Sequence, residues 1–182
     1  MHEHYNVLFL SIANSARSIM AEAILNRKGF PNFTGYSAGS YPKDAIHPRA
    51  LHQIENARLP ITDLHSKSRH EFAKPDAPHL DFVFTLCDGG PNEVCPVWPG
   101  QPITGHWGVP DPTSVSGSQE EIDRAFLDVF TILERRISLF LCLPLSSLDK
   151  LAIENQINAI GRIRFFREEH PGMFSPSLSH RR

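Results

Sequence analysis

Val7, Leu8, Phe9 and Leu10 form an unbroken apolar run, which predicts a strand buried on both faces, as in a parallel sheet covered by helices. The period then changes. Ser18 to Lys28 carries Met20, Ile24 and Leu25 on one side of a predicted helix, with Gly29 placed as a left-handed C-terminal cap. Phe33 to Ser37 reads as a second strand, and Pro48 to about Ala57 as a short helix with Leu51 and Ile54 on its apolar face. His65 to Ser68 reads as a loop and Glu71-Phe72 as a single helical turn, before a third buried strand from Asp81 to Leu86. Gly89, Gly90, Pro91, Pro96, Pro99 and Gly100 then exclude a regular element up to a fourth strand, Ile103 to Trp107.

Ser118 and Glu121 have the spacing of a capping box. Behind them Ile122, Phe126, Val129, Leu133, Ile137 and Phe140 predict an amphipathic helix from about 119 to 142, with Cys142 on its apolar side. A last helix runs from Leu148 to Ile160, closed by Gly161, and the final dozen residues read as a frayed tail. Strands alternating with helices imply an α/β fold. Right-handed crossovers place the loops at Ser11 to Ser18, Cys87 to Cys95 and Asp111 on one sheet edge.

A chain of 182 residues suits a single core, and its net charge of −2 excludes a strongly basic nucleic-acid binder. The longest apolar stretch, Ile137 to Leu145, is interrupted by Ser138 and Pro144 and falls short of a membrane span. The start lacks a basic signal segment, so a cytoplasmic protein is expected. The histidines, Cys87 and Cys95 lack tight ligand spacing, so neither a metal site nor a cofactor is expected.

The segment between the first strand and first helix, Ser11-Ile12-Ala13-Asn14-Ser15-Ala16-Arg17-Ser18, has the makings of an anion cradle. A helix start leaves backbone N–H groups without intrahelical partners and carries partial positive charge. Arg17 adds a planar fork of donors suited to a tetrahedral oxyanion, and Asn14 suits a turn of positive φ. The loop has no glycine and no Gly-Lys-Ser/Thr, so it is not a Walker A motif. Lys67 and Arg69 read as a solvated face that could steer an anion or a redox partner.

Ser11-x5-Arg17-Ser18, with Asn14 and the following Met20-Ala21-Glu22, resembles the Cys-x5-Arg-Ser signature of low-molecular-weight protein tyrosine phosphatases and the arsenate reductases that share their fold. Ser37-Ala38-Gly39-Ser40 after the second strand is similar to their Ser-Ala-Gly-Thr/Ser. The resemblance implies a phosphatase I-like, three-layer α/β/α fold with a four-stranded parallel sheet over residues 1–145. A helical extension and tail, 146–182, then lie outside the signature.

The resemblance also implies site roles: oxyanion binding by Ile12, Ala13, Asn14, Ser15, Ala16 and Arg17, a nucleophile position at 11, and a general acid at Asp111. Ser18 would hydrogen-bond the nucleophile. Serine at 11 departs from the family, because its hydroxyl is far less acidic than a cradled thiol, has no histidine base in the loop, and forms no disulfide. The chain as written is therefore expected to hold an anion without attacking it. An exchange introduced to trap a complex, which the intact remainder of the site favours, and a natural non-catalytic binder both fit.

Phosphatases acting on phosphotyrosine usually follow Asp-Pro with an aromatic residue, and here Thr113 follows Pro112. Val94-Cys95-Pro96-Val97-Trp98-Pro99-Gly100 and His106-Trp107-Gly108 resemble arsenate reductases more than phosphatases. In the thioredoxin-coupled type, cysteines placed like Cys87 and Cys95 relay the disulfide to a reductant. The expected function is thus thiol-dependent arsenate reduction, with an arsenate- or phosphate-like oxyanion and thioredoxin, glutaredoxin or a small thiol as partners. A phosphotyrosine phosphatase and a non-catalytic binder of phosphate or phosphoprotein are the alternatives.

Overall fold

The computed structural model describes residues 3–89, 94 and 97–165. Four strands, β1 Tyr5–Ser11, β2 Phe33–Gly39, β3 Phe82–Thr85 and β4 Ile103–His106, form one sheet in the order β2-β1-β3-β4 with every pairing parallel. Helices α1 Arg17–Lys28, α2 Pro48–Asn56, α3 Gln119–Leu141 and α4 Lys150–Gly161 complete the regular structure. Each lies within a few residues of its predicted position, because the apolar period alone specifies it.

The alternation in β1 separates two cores. Val7 and Phe9 point to one face with Phe82 and Phe84, under Ile24 and Leu25 of α1 and Leu133, Ile137 and Phe140 of α3. Leu8 and Leu10 point to the other, with Val83 and Ala38, beneath Tyr36, Phe72 and Trp98. A 3-10 turn, Arg69–Ala73, supplies Phe72 to that second, thinner layer. Both faces of β1 are thus dry, as the unbroken apolar run requires.

α4 packs into the same core. Ile153, Ile157 and Ile160 are buried with the α1 and α3 residues. Trp107 Nε1 donates to Ile157 O at 3.0 Å, and the indole stacks on Phe84 with centroids 4.0 Å apart. A Cβ at Gly105 of β4 would overlap Ile157 Cγ2, so the helix can approach this strand only at glycine.

Two expectations need correction. Gly29 does cap α1, but with φ −89° it is right-handed. Glycine is needed there for space, since a Cβ would lie 2.7 Å from Phe33 Cβ where β2 begins. Cys142 is exposed rather than core. α3 ends at Leu141, and residue 142 is its C-cap, turned away from the buried row that ends at Phe140. The frayed tail and Cys95 lie outside the described residues.

Candidate functional site

The C-terminal ends of β1, β3 and β4 deliver Ser11, Cys87 and Asp111 to one edge, the usual place for a site in a parallel sheet. α1 starts at Arg17 with no side-chain cap and no acidic residue in its first turn, so its leading N–H groups and dipole remain for an anion. The loop carbonyls are turned outward and occupied. Ile12 O accepts from Tyr41 N at 2.9 Å, Ala13 O from Lys43 N at 3.0 Å, and Ser15 O from His47 N at 2.8 Å. This clamp by residues 41–47 was invisible in the sequence, since backbone donors leave no compositional trace.

Asn14 is the pivot. Its φ of 44° lies in the left-handed region, as expected of an asparagine in such a turn. Its N–H donates to Ser11 Oγ at 3.1 Å, its Nδ2 to Ser18 Oγ at 2.8 Å and Ser37 Oγ at 3.0 Å, and its Oδ1 accepts from Lys67 N at 2.8 Å. Ser11 Oγ and Ser18 Oγ are 2.7 Å apart. The hydroxyl at position 11 therefore sits where converging donors would stabilise a negative charge.

Arg17 is buried and held from the segments that follow β3 and β4: Nη1 donates to Leu86 O at 3.3 Å and to Val109 O at 3.1 Å. Its Nη2 lies 3.7 Å from Asp111 Oδ2. Asp111 caps a 3-10 turn, Pro112–Ser114, and its Oδ1 accepts from Thr113 N at 3.0 Å and Thr113 Oγ1 at 2.7 Å. These bonds fix the carboxylate beside Arg17, with its side chain about a third exposed at 34%.

Beneath the loop lies a polar network whose roles the sequence did not reveal. Ser37 Oγ donates to Glu22 Oε2 at 2.6 Å, and Lys67 Nζ lies 3.7 Å from the same oxygen. Burial pushes the Glu22 carboxyl above its ordinary range, against the opposing pull of Lys67 and Ser37, and burial likewise pushes Lys67 down. The reading of Lys67 as a solvated cation is thus corrected: Gly39 N donates to Lys67 O at 3.0 Å, drawing the 65–68 segment over the end of β2. Arg69 stays on the surface side, with Nη2 donating to Val97 O at 2.8 Å and its guanidinium 5.6 Å from the Trp98 ring centre.

Cys87 is fully buried and disulfide-bonded, whereas Cys142 is a free thiol. Among the described residues no group of three or more His, Cys, Asp or Glu could hold a metal ion. No described helix is long and apolar enough to cross a membrane.

Residues 6–154 match the family described as low molecular weight phosphotyrosine protein phosphatase. The chain belongs to this family. An arsenate reductase of Oceanobacillus iheyensis is 31% identical over 134 residues, covering 74% of this chain and 93% of the relative. An arsenate reductase solved in a phosphate-binding state superposes with a TM-score of 0.55 at 28% identity, over 74% of this chain and 97% of the other. A thioredoxin-dependent arsenate reductase of Corynebacterium glutamicum gives a TM-score of 0.50 at 26% identity, over 75% and 63%. This low-molecular-weight phosphatase family member thus has curated relatives that are arsenate reductases, and the matched span includes the first loop, Cys87, Asp111 and the start of α4.

Proposed function

We propose that this chain binds an arsenate-class oxyanion in the 11–18 loop, on a scaffold for thiol-dependent arsenate reduction that serine at position 11 leaves without its nucleophile. The observation that carries the reading is the environment of Ser11 Oγ, which receives the Asn14 N–H and contacts the Ser18 hydroxyl at the foot of α1. Donors arranged this way lower the pKa of a thiol far into the thiolate range, but they leave a serine hydroxyl protonated at neutral pH.

In the Ser11→Cys variant the thiolate would bond to arsenic held by Arg17 and the loop amides, and the displaced hydroxyl would leave as water with a proton from Asp111. Cys87, once the thiol reductant has freed it from its disulfide as the thiolate, would then attack that sulfur. A disulfide forms, the S–As electron pair stays on arsenic, and arsenic(V) departs as arsenite. Arg17 touches Leu86 O, so the residue before Cys87 abuts the cradle. Cys95 would take over the disulfide and present it to thioredoxin, glutaredoxin or a small thiol. The finding that Cys87 is the oxidised cysteine and Cys142 is not supports this assignment.

The test is arsenate-dependent consumption of NADPH through thioredoxin and its reductase. The Ser11→Cys variant should turn over and the parent should not; turnover by the parent at the variant's rate would remove the need for a thiolate. Serine as it stands favours a second reading, a non-catalytic oxyanion binder. That reading prevails if the variant binds phosphate but reduces no arsenate with any thiol.

A further inference from the structure

Beyond the loop, a cavity of about 450 Å³ opens between the end of β4 and the end of α4, lined in part by Asp88, His106, Gly108, Arg136, Arg162 and Arg164. Among the described lining residues three arginines stand against one aspartate, the charge of an anion site, and the cavity's volume is that of a small-molecule pocket.

Its floor is Arg136 of α3, which is 6% exposed. Nη1 donates to Gly108 O at 3.1 Å, but the buried Nε has no hydrogen-bond partner among the described residues. An orphaned buried guanidinium N–H is costly, and a ligand oxygen would satisfy it once the Arg136 side chain turns toward the cavity. Burial and then the charge of Arg164 disfavour the cationic form of Arg136, and the opposite charge of an anion would offset that penalty.

We propose that this pocket is a second oxyanion site, separate from the 11–18 loop, that takes a small ligand bearing carboxylate or phosphate oxygens. It shares backbone with the first site. Arg136 holds Gly108 O while Arg17 holds Val109 O, so consecutive carbonyls anchor the two arginines. Gly108 also packs on the cysteine segment: a Cβ there would lie 3.1 Å from Cys87 O and 3.4 Å from Asp88 Cα. A carboxylate-bearing thiol bound here would lie beside the disulfide-bonded residue, and an inorganic oxyanion would fill the same donors.

Amide NMR titrations of the full chain with inorganic phosphate and, separately, with S-methylglutathione test this. The Gly108 and Gly161 amides should shift and saturate independently of the Asn14 and Arg17 amides. Arg136→Gln should weaken that response about tenfold or more, the loss of a charged hydrogen bond. Because Arg136 is buried, the Arg162→Ser/Arg164→Ser double variant serves as a second probe and should weaken the response while leaving the loop response unchanged. Tighter binding of S-methylglutathione assigns the site to a carboxylate-bearing thiol, and tighter binding of phosphate to an inorganic oxyanion. Amides that move with neither probe, or that respond equally in the parent and both variants, overturn the proposal.

Discussion

Lys67 Nζ lies 3.7 Å from Glu22 Oε2 beneath the 11–18 loop, with side chains only 7% and 10% exposed. Desolvation of such a pair offsets much of its attraction, but removing one partner strands the other charge in the interior. Lys67→Met, which leaves the buried carboxylate without its cation, should therefore destabilise the fold by about 3–5 kcal/mol, and Lys67→Met with Glu22→Gln should recover much of that loss. Urea unfolding of the parent, both single variants and the double variant measures the coupling. Additive losses would mean that the pair does not act as a unit.

The raised pKa of Glu22 gives a sign opposite to that of a salt-bridged surface carboxylate. The folded state holds this proton more tightly than the unfolded chain. The Glu22 contribution is therefore fully present below its ordinary value of 4.5 and is lost as pH rises through the higher folded value. The stability of the parent relative to Glu22→Gln should increase as pH falls from 7 toward 4.5, read from urea midpoints at several pH values.

Asn14 reverses the usual order of substitution. Glycine is normally worse than alanine in ordered backbone, but at a φ of 44° alanine carries a left-handed penalty of about 1–2 kcal/mol that glycine escapes. Both variants lose the side-chain bonds to Ser18, Ser37 and Lys67. Asn14→Gly should hence be the more stable of the two in thermal unfolding.

Gly105→Ala should cost about 1–3 kcal/mol, because the new methyl meets Ile157 Cγ2 and lies 3.1 Å from two Phe84 ring carbons. Ile157→Ala in the same chain should return part of that loss. If the second change adds its own full cost instead, α4 does not pack on β4 as described.

The cysteines should separate by reactivity. Without reductant, iodoacetamide should label Cys142 and leave Cys87 untouched, and dithiothreitol treatment before denaturing alkylation should expose Cys87. Labelling of native, unreduced protein at Cys87, seen by peptide mass spectrometry, would contradict its disulfide.

The elements and their sheet were legible because apolar period is a local property: the run Val7 to Leu10 dictates a strand dry on both faces, and the row from Phe126 to Phe140 a helix face. The form of the loop was legible for the same reason, since Ser11 to Ser18 is one contiguous stretch whose turn at Asn14 and helix start at Arg17 need no distant partner to be recognised. The environments of single side chains were not. Lys67 is buried because a backbone bond from Gly39 draws its segment over β2, Cys142 is exposed because α3 stops one residue earlier, and Gly29 answers to Phe33 rather than to its own φ. The clamp of residues 41–47 on the loop carbonyls and the Glu22–Lys67 pair join residues far apart in the chain, and it is packing that leaves Arg136 Nε without a partner among the described residues. Sequence fixes which groups can donate, accept or carry charge, whereas burial and partnership depend on chain closure, and only the tertiary structure decides them.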